Sequence, residues 1–119
     1  MGDLVGVEPG RTRMLKPHWF QILLSLADRD LHGQAIRDEV LTRTDGRMHL
    51  WPAMLYGSLN KLQEEGLIIE TEGPSESEPG GGSPRVFQIT PEGRAALSRE
   101  VVELEGYLRV ARAKDVGQT

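Results

Sequence analysis

From position 51 the chain reads Trp51-Pro52-Ala53-Met54-Leu55-Tyr56-Gly57-Ser58-Leu59-Asn60-Lys61-Leu62-Gln63-Glu64-Glu65-Gly66. Leu55, Leu59 and Leu62 recur at i, i+4 and i+7, which makes one narrow apolar stripe if this stretch is helical. Pro52 suits the first helical position, where its missing N–H would have had no partner, and Gly66 suits the left-handed residue that ends a helix. These boundaries predict a helix over 52–65. Ala53, Tyr56, Gly57, Asn60, Lys61 and Glu64 fall on its other side. Small and hydrogen-bonding residues dominate there, so the face can be laid against another surface.

The same periodicity places two shorter helices ahead of it. Over 17–27, Trp19, Ile22, Leu23 and Leu26 form one stripe, while Phe20 and Leu24 lie on a neighbouring face and call for a second apolar partner, another subunit. Asp28-Arg29-Asp30 is a polar break. Leu31-His32-Gly33 leads into a helix to about residue 42, with Ile36 and Val40 inward. The connection over 42–50 carries the turn signal Asp45-Gly46, and Met48-His49-Leu50 is a candidate edge strand. Beyond Gly66, Leu67-Ile68-Ile69 begins a β-branched run, 73–83 is a loop of Gly, Pro, Ser and Glu, and Arg85-Val86-Phe87-Gln88-Ile89-Thr90 reads as a second strand. The two strands make a hairpin.

Thr90-Pro91-Glu92-Gly93 has the form of a helix start, with Thr90 as cap. From there Leu97, Val101, Leu104, Leu108 and Ala111 repeat at heptad spacing. With no core of its own to face, this helix is expected to form a dimer seam. The element order is that of a winged helix-turn-helix: α+β, mainly α, with a C-terminal dimerisation helix. It divides into an arm over 1–14, the winged helix-turn-helix over 15–90, the dimerisation helix over 91–113 and a tail over 114–119. Arg11, Arg13 and Lys16 make the end of the arm basic. It is either a solvated tail or a phosphate-touching arm.

Composition narrows the setting. A chain of 119 residues, 38% hydrophobic and 5% aromatic, makes one domain with a thin core that oligomerisation would help. The absence of cysteine excludes disulfides and thiolate metal sites and fits a reducing cytoplasm, the expected location. No apolar run approaches a membrane span, and a start carrying Asp3 and Glu8 is no signal peptide. A formal charge of −4 argues against nonspecific coating of DNA, although charge distribution decides a specific contact.

Several pieces in series resemble the PadR family of bacterial transcriptional regulators: Leu31-His32-Gly33, Leu55-Tyr56 with Leu59 and Lys61-Leu62, Glu65-Gly66-Leu67-Ile68, and Arg85 to Gly93. The short C-terminal helix is similar to the compact branch, in which that helix dimerises against the partner's first helix. The resemblance implies a cytoplasmic DNA-binding homodimer, usually a repressor released by a small-molecule effector. Tyr56 then matches the family tyrosine at the DNA backbone, and Arg85 the basic residue at the base of the wing. Two positions depart from the pattern. Trp51 stands where Ser or Thr usually caps the recognition helix, and Glu70, Glu72, Glu76 and Glu78 make the wing acidic where a basic tip is usual.

Candidate DNA-binding residues are therefore Arg47, Ala53, Tyr56, Gly57, Asn60, Lys61 and Arg85. Asn60 can pair bidentately with an adenine edge and Lys61 can meet guanine or phosphate, while Ala53 and Met54, small or apolar, would at most meet a thymine methyl. Tyr56 equally suits a ring packed against the wing, and Arg85 a cross-strand partner of Glu70 or Glu72. Phe20, Leu24, Leu97, Val101, Leu104, Leu108 and Ala111 are the expected dimer interface. Trp19 and Trp51 are core residues or the lining of a cavity for a flat ligand. His18, His32 and His49 lack metal-ligand spacing, and no nucleophile arrangement is recognisable, so neither metal, cofactor nor enzymatic activity is expected. The rival to a DNA-binding regulator is a winged-helix module that binds a protein partner.

Overall fold

Among the described residues every helix starts where a proline or a capping side chain permits it. The computed structural model describes residues 14–71 and 85–117, so the expectations for the arm over 1–13 and the wing loop over 72–84 lie outside the described residues. The elements are α1 (Pro17–Leu26), β1 (Leu31–His32), α2 (Gly33–Arg43), α3 (Pro52–Glu64), β2 (Ile68–Thr71), β3 (Val86–Ile89) and α4 (Pro91–Ala113). Helices α1, α3 and α4 carry proline in the first turn. Helix α2 instead uses His32, whose Nδ1 accepts from the Ala35 N–H at 3.3 Å.

Among the described residues four helices and one antiparallel sheet of order β1-β3-β2 make a mainly helical α+β fold. Ile68 pairs with Ile89 and Thr71 with Val86, giving the expected hairpin. Leu31 and His32 pair with Phe87 and Val86, a third strand that two residues are too short to announce by periodicity. The expected edge strand at Met48-His49-Leu50 does not form. The Met48 N–H donates to Thr44 Oγ1 at 3.0 Å instead of to a neighbouring strand, and Leu50 is fully buried.

Ile22, Leu23 and Leu26 of α1, Ile36 and Val40 of α2, Leu55, Leu59 and Leu62 of α3, Ile68 and Phe87 meet in one cluster. Each fully buried side chain of this size contributes about 1.5–3 kcal/mol through burial. Trp19, Phe20 and Leu24 pack on the edge of the same cluster and are only half-buried. Arg43 fastens α2 to α1: it donates to Gln21 Oε1 at 2.9 Å, to the Gln21 carbonyl at 3.0 Å and to the buried Ser25 hydroxyl at 2.9 Å.

Helix α3 ends in a left-handed glycine. Gly66 has φ +79°, its N–H donates to the Gln63 carbonyl at 3.0 Å, and the Leu67 N–H donates to the Leu62 carbonyl at 2.9 Å. This Schellman pattern satisfies two of the helix's last carbonyls and turns the chain into β2.

Thr90 holds α4 to that turn. Its hydroxyl accepts from the Gly93 N–H at 2.9 Å and donates to the Gly66 carbonyl at 2.7 Å. The expectation that α4 lacks a core is corrected here, because its first turns bury Gly93, Ala96 and Leu97 in the protomer's own interior. Leu97, expected in the dimer seam, is only 5% exposed there, since it lies on the turns that pass over α1 and β3 before the helix leaves the domain. Arg94 tightens the same junction by donating to the Ala27 carbonyl at 2.6 Å. From Val101 onward the helix projects, with Val101, Val102, Leu104, Tyr107, Leu108 and Val110 exposed.

Candidate nucleic-acid interface

The leucine stripe of α3 decides what the molecule shows outward. With Leu55, Leu59, Leu62 and Ser58 buried, Ala53, Met54, Gly57, Asn60 and Lys61 are exposed together on the opposite side. A Cβ built at Gly57 would meet nothing within 4 Å, so the helix backbone is open to close approach there. Lys61 has Glu64 beside it at 3.7 Å, but both side chains are about two-thirds exposed at 66% and 69%. So solvated a pair holds its charge loosely. Asn60 carries the amide that suits an adenine edge.

Tyr56 is the inward member of this group. It is half-buried against the core, and a Cβ built on Gly33 would stand 2.5 Å from its hydroxyl oxygen, so α2 and α3 approach closely only because residue 33 has no side chain. The Arg85 guanidinium lies over the Tyr56 ring at 5.6 Å and over the Phe87 ring at 5.3 Å. Its Nε donates to Glu70 Oε2 at 3.1 Å and its Nη2 to Glu70 Oε1 at 3.0 Å. The hydrogen bond that Arg85 donates to Glu70 raises the Arg85 pKa further, against a smaller desolvation penalty, and keeps the cation charged. Tyr56 and Arg85 thus meet at the base of the wing. Arg47 stands before α3, exposed, with its Nε on the Thr44 carbonyl at 3.2 Å.

The two tryptophans have different surroundings. Trp19 is half-buried on α1 with the Lys16 ammonium 5.3 Å from its ring centre. Trp51 is 61% exposed at the start of α3, which corrects its reading as a core residue. Its indole stacks on the His49 imidazole, with centroids 3.8 Å apart and planes 14° from parallel. Sequence reasoning missed this pair; the i, i+2 aromatic spacing in an extended segment was the available signal. It also missed Arg43, which fastens α2 to α1.

Burial, and secondarily the neighbouring Lys16 charge, lowers the His18 pKa. Among the described residues no group of three or more His, Cys, Asp or Glu side chains is placed to hold a metal ion, and no helix is long and apolar enough to cross a membrane.

A helix pair with its second helix turned outward, followed at once by a two-stranded wing, defines the chain as a winged helix-turn-helix protein. The sequence model of the transcriptional regulator PadR-like family matches residues 22–99. The chain belongs to that family, whose members are transcriptional regulators that act on DNA and are not enzymes. It is 34% identical over 88 residues to the transcriptional regulator Rv3488 of Mycobacterium tuberculosis, across 74% of this chain and 76% of that protein. In fold it is similar to a transcriptional regulator from Clostridium thermocellum, with TM-score 0.66 and 24% identity over 80% of this chain and 86% of that one. A PadR family regulator from Clostridium difficile superposes with TM-score 0.62 and 22% identity, over 80% of this chain and 96% of the other.

Proposed function

We propose that the protein is a homodimeric, sequence-specific DNA-binding repressor whose two α3 helices enter successive major grooves of a pseudo-palindromic operator. The observation that carries this reading is the outward face of α3, where Gly57, Asn60 and Lys61 are exposed on one side of a helix whose leucines are all buried. Gly57 admits the backbone, Asn60 reads a base edge and Lys61 neutralises a phosphate or meets guanine. Tyr56, Arg47 and Arg85 flank that face, and Ala53 begins it.

Dimerisation rests on the projecting half of α4. Val101, Leu104, Tyr107 and Leu108 spend apolar surface on one side of a helix that has left its own core, and Ala111 continues the line. Phe20 and Leu24, half-buried on α1, supply apolar surface for the partner's helix. Two recognition helices carried about 34–36 Å apart would match one turn of DNA. Release by a flat small-molecule effector, which family membership suggests, would use the half-buried Trp19 on α1.

The test is a gel-shift titration on the DNA upstream of the protein's own gene, repeated at rising salt. Affinity should fall log-linearly with salt and drop at least ten-fold when Asn60 and Lys61 are both replaced by alanine. An unchanged affinity in that double variant removes the reading. One observation favours a wing that binds protein and has given up DNA: Arg85 is already engaged by Glu70. The absence of any shift at low salt would select that alternative.

A further inference from the structure

The Trp51–His49 stack at the start of α3 lies outside the buried core cluster. Trp51 occupies the N-cap position yet makes no side-chain cap hydrogen bond, where Ser, Thr, Asn or Asp would stabilise the helix. Nor is it buried, being 61% exposed. Large aromatic side chains usually bury most of their surface. The His49 ring nevertheless stacks on one face of the indole, with centroids 3.8 Å apart.

The neighbouring surface is of one chemistry. Pro52, Ala53 and Met54 are all exposed on the first turn of α3, Met54 at 45%, and none brings a side-chain hydrogen-bond donor or acceptor of ordinary strength. The polar readers, Asn60 and Lys61, lie two turns further on. The N-terminal residues of a recognition helix are the ones that approach base edges. In the major groove the one feature that apolar surface recognises is the C5-methyl group of thymine.

Resting on the assignment of α3 as the DNA-reading helix, we propose that Trp51, held by His49 and flanked by Ala53 and Met54, determines specificity for thymine at the operator position facing the start of α3. The indole covers the thymine methyl, and the stack on His49 removes the entropy cost of orienting the ring on binding.

The experiment begins with the full chain selecting duplexes from a random library, after which each thymine of the selected site is replaced in turn by uracil, which deletes only the methyl group. One symmetry-related thymine per half-site should lose about four-fold in affinity on this exchange, the worth of one buried methyl. That discrimination should vanish in Trp51→Ala, persist in Trp51→Phe and persist in Asn60→Ala. Uniform tolerance of uracil, or discrimination that survives in Trp51→Ala, overturns the proposal while leaving DNA recognition by α3 intact. The second result is also the one expected if Trp51 serves a flat effector instead. Failure to select any duplex sinks the parent reading and this one with it.

Discussion

Arg85 and Glu70 form a two-pronged ion pair across the base of the wing, at 3.1 and 3.0 Å, with side chains still 43% and 38% exposed. At that exposure the pair adds little to stability, in the range of about 0–1 kcal/mol. Its larger consequence is for binding, because the carboxylate occupies both prongs of the fork that a phosphate would take.

Glu70→Gln should therefore free one cation at the wing without loosening the fold. The expected outcome is tighter DNA binding and a log–log salt slope steeper by about 0.9, the increment for one added phosphate contact. Fluorescence anisotropy across a salt series measures both. Weaker binding in Glu70→Gln would mean that the carboxylate holds Arg85 in its useful position rather than withholding it.

Gly33 sets the spacing of α2 and α3. An alanine methyl at residue 33 would stand 2.5 Å from the Tyr56 hydroxyl oxygen, so Gly33→Ala must shift the tyrosine or the helix. Overpacking of this kind costs about 1–3 kcal/mol. Removing the nearest atom with Tyr56→Phe in the same chain should restore part of the loss, as urea denaturation midpoints would show. No recovery in the double variant would place the strain elsewhere.

Leu97 and Leu108 belong to the same heptad-spaced series but to different environments, one 5% and the other 50% exposed. Leu97→Ala should destabilise the protomer by about 2–5 kcal/mol, the range for a truncated core leucine. Leu108→Glu should leave the far-ultraviolet circular dichroism unchanged and convert the species seen by light scattering from dimer to monomer. A Leu108→Glu protein that stays dimeric would contradict a seam on the projecting half of α4.

His18 carries a pH dependence of known sign. Its pKa in the folded chain lies below the ordinary value of 6.5, chiefly through desolvation and then through Lys16. Below pH 6.5 the unfolded chain takes up a proton that the folded chain resists, so stability is complete above that value and declines as pH falls toward the lowered pKa. Thermal melts between pH 7 and pH 5 should show a shallower decline for His18→Gln than for the parent, by an amount limited by the half-exposure of the ring. Parallel slopes would exclude His18 as a source.

The helices and the hairpin were legible along the chain because their signals are local. Pro52 and Gly66 bracket α3, Thr90-Pro91 starts α4, and the leucine spacing fixes which side of α3 is buried. Strand β1 was not legible, since two residues carry no period and Leu31 becomes a strand residue only by meeting Phe87. Arg85 offered Glu70 and Glu72 as equal partners in the sequence; the pairing of Glu70 with Phe87 across the hairpin brought Glu70 to its side. Trp51 looked like core because tryptophan usually is, and the extended backbone before Pro52 instead set it beside His49.

The amino-acid order alone thus determined the elements, their ends and the polar face of α3, all of which follow from spacing within a few turns. The fold alone decided where α4 leaves its own core, so that Leu97 is spent inward and Leu108 is left out. That boundary depends on how far α1 and the sheet extend beneath the helix, a distance set by packing between segments remote in the chain, and no heptad repeat encodes it.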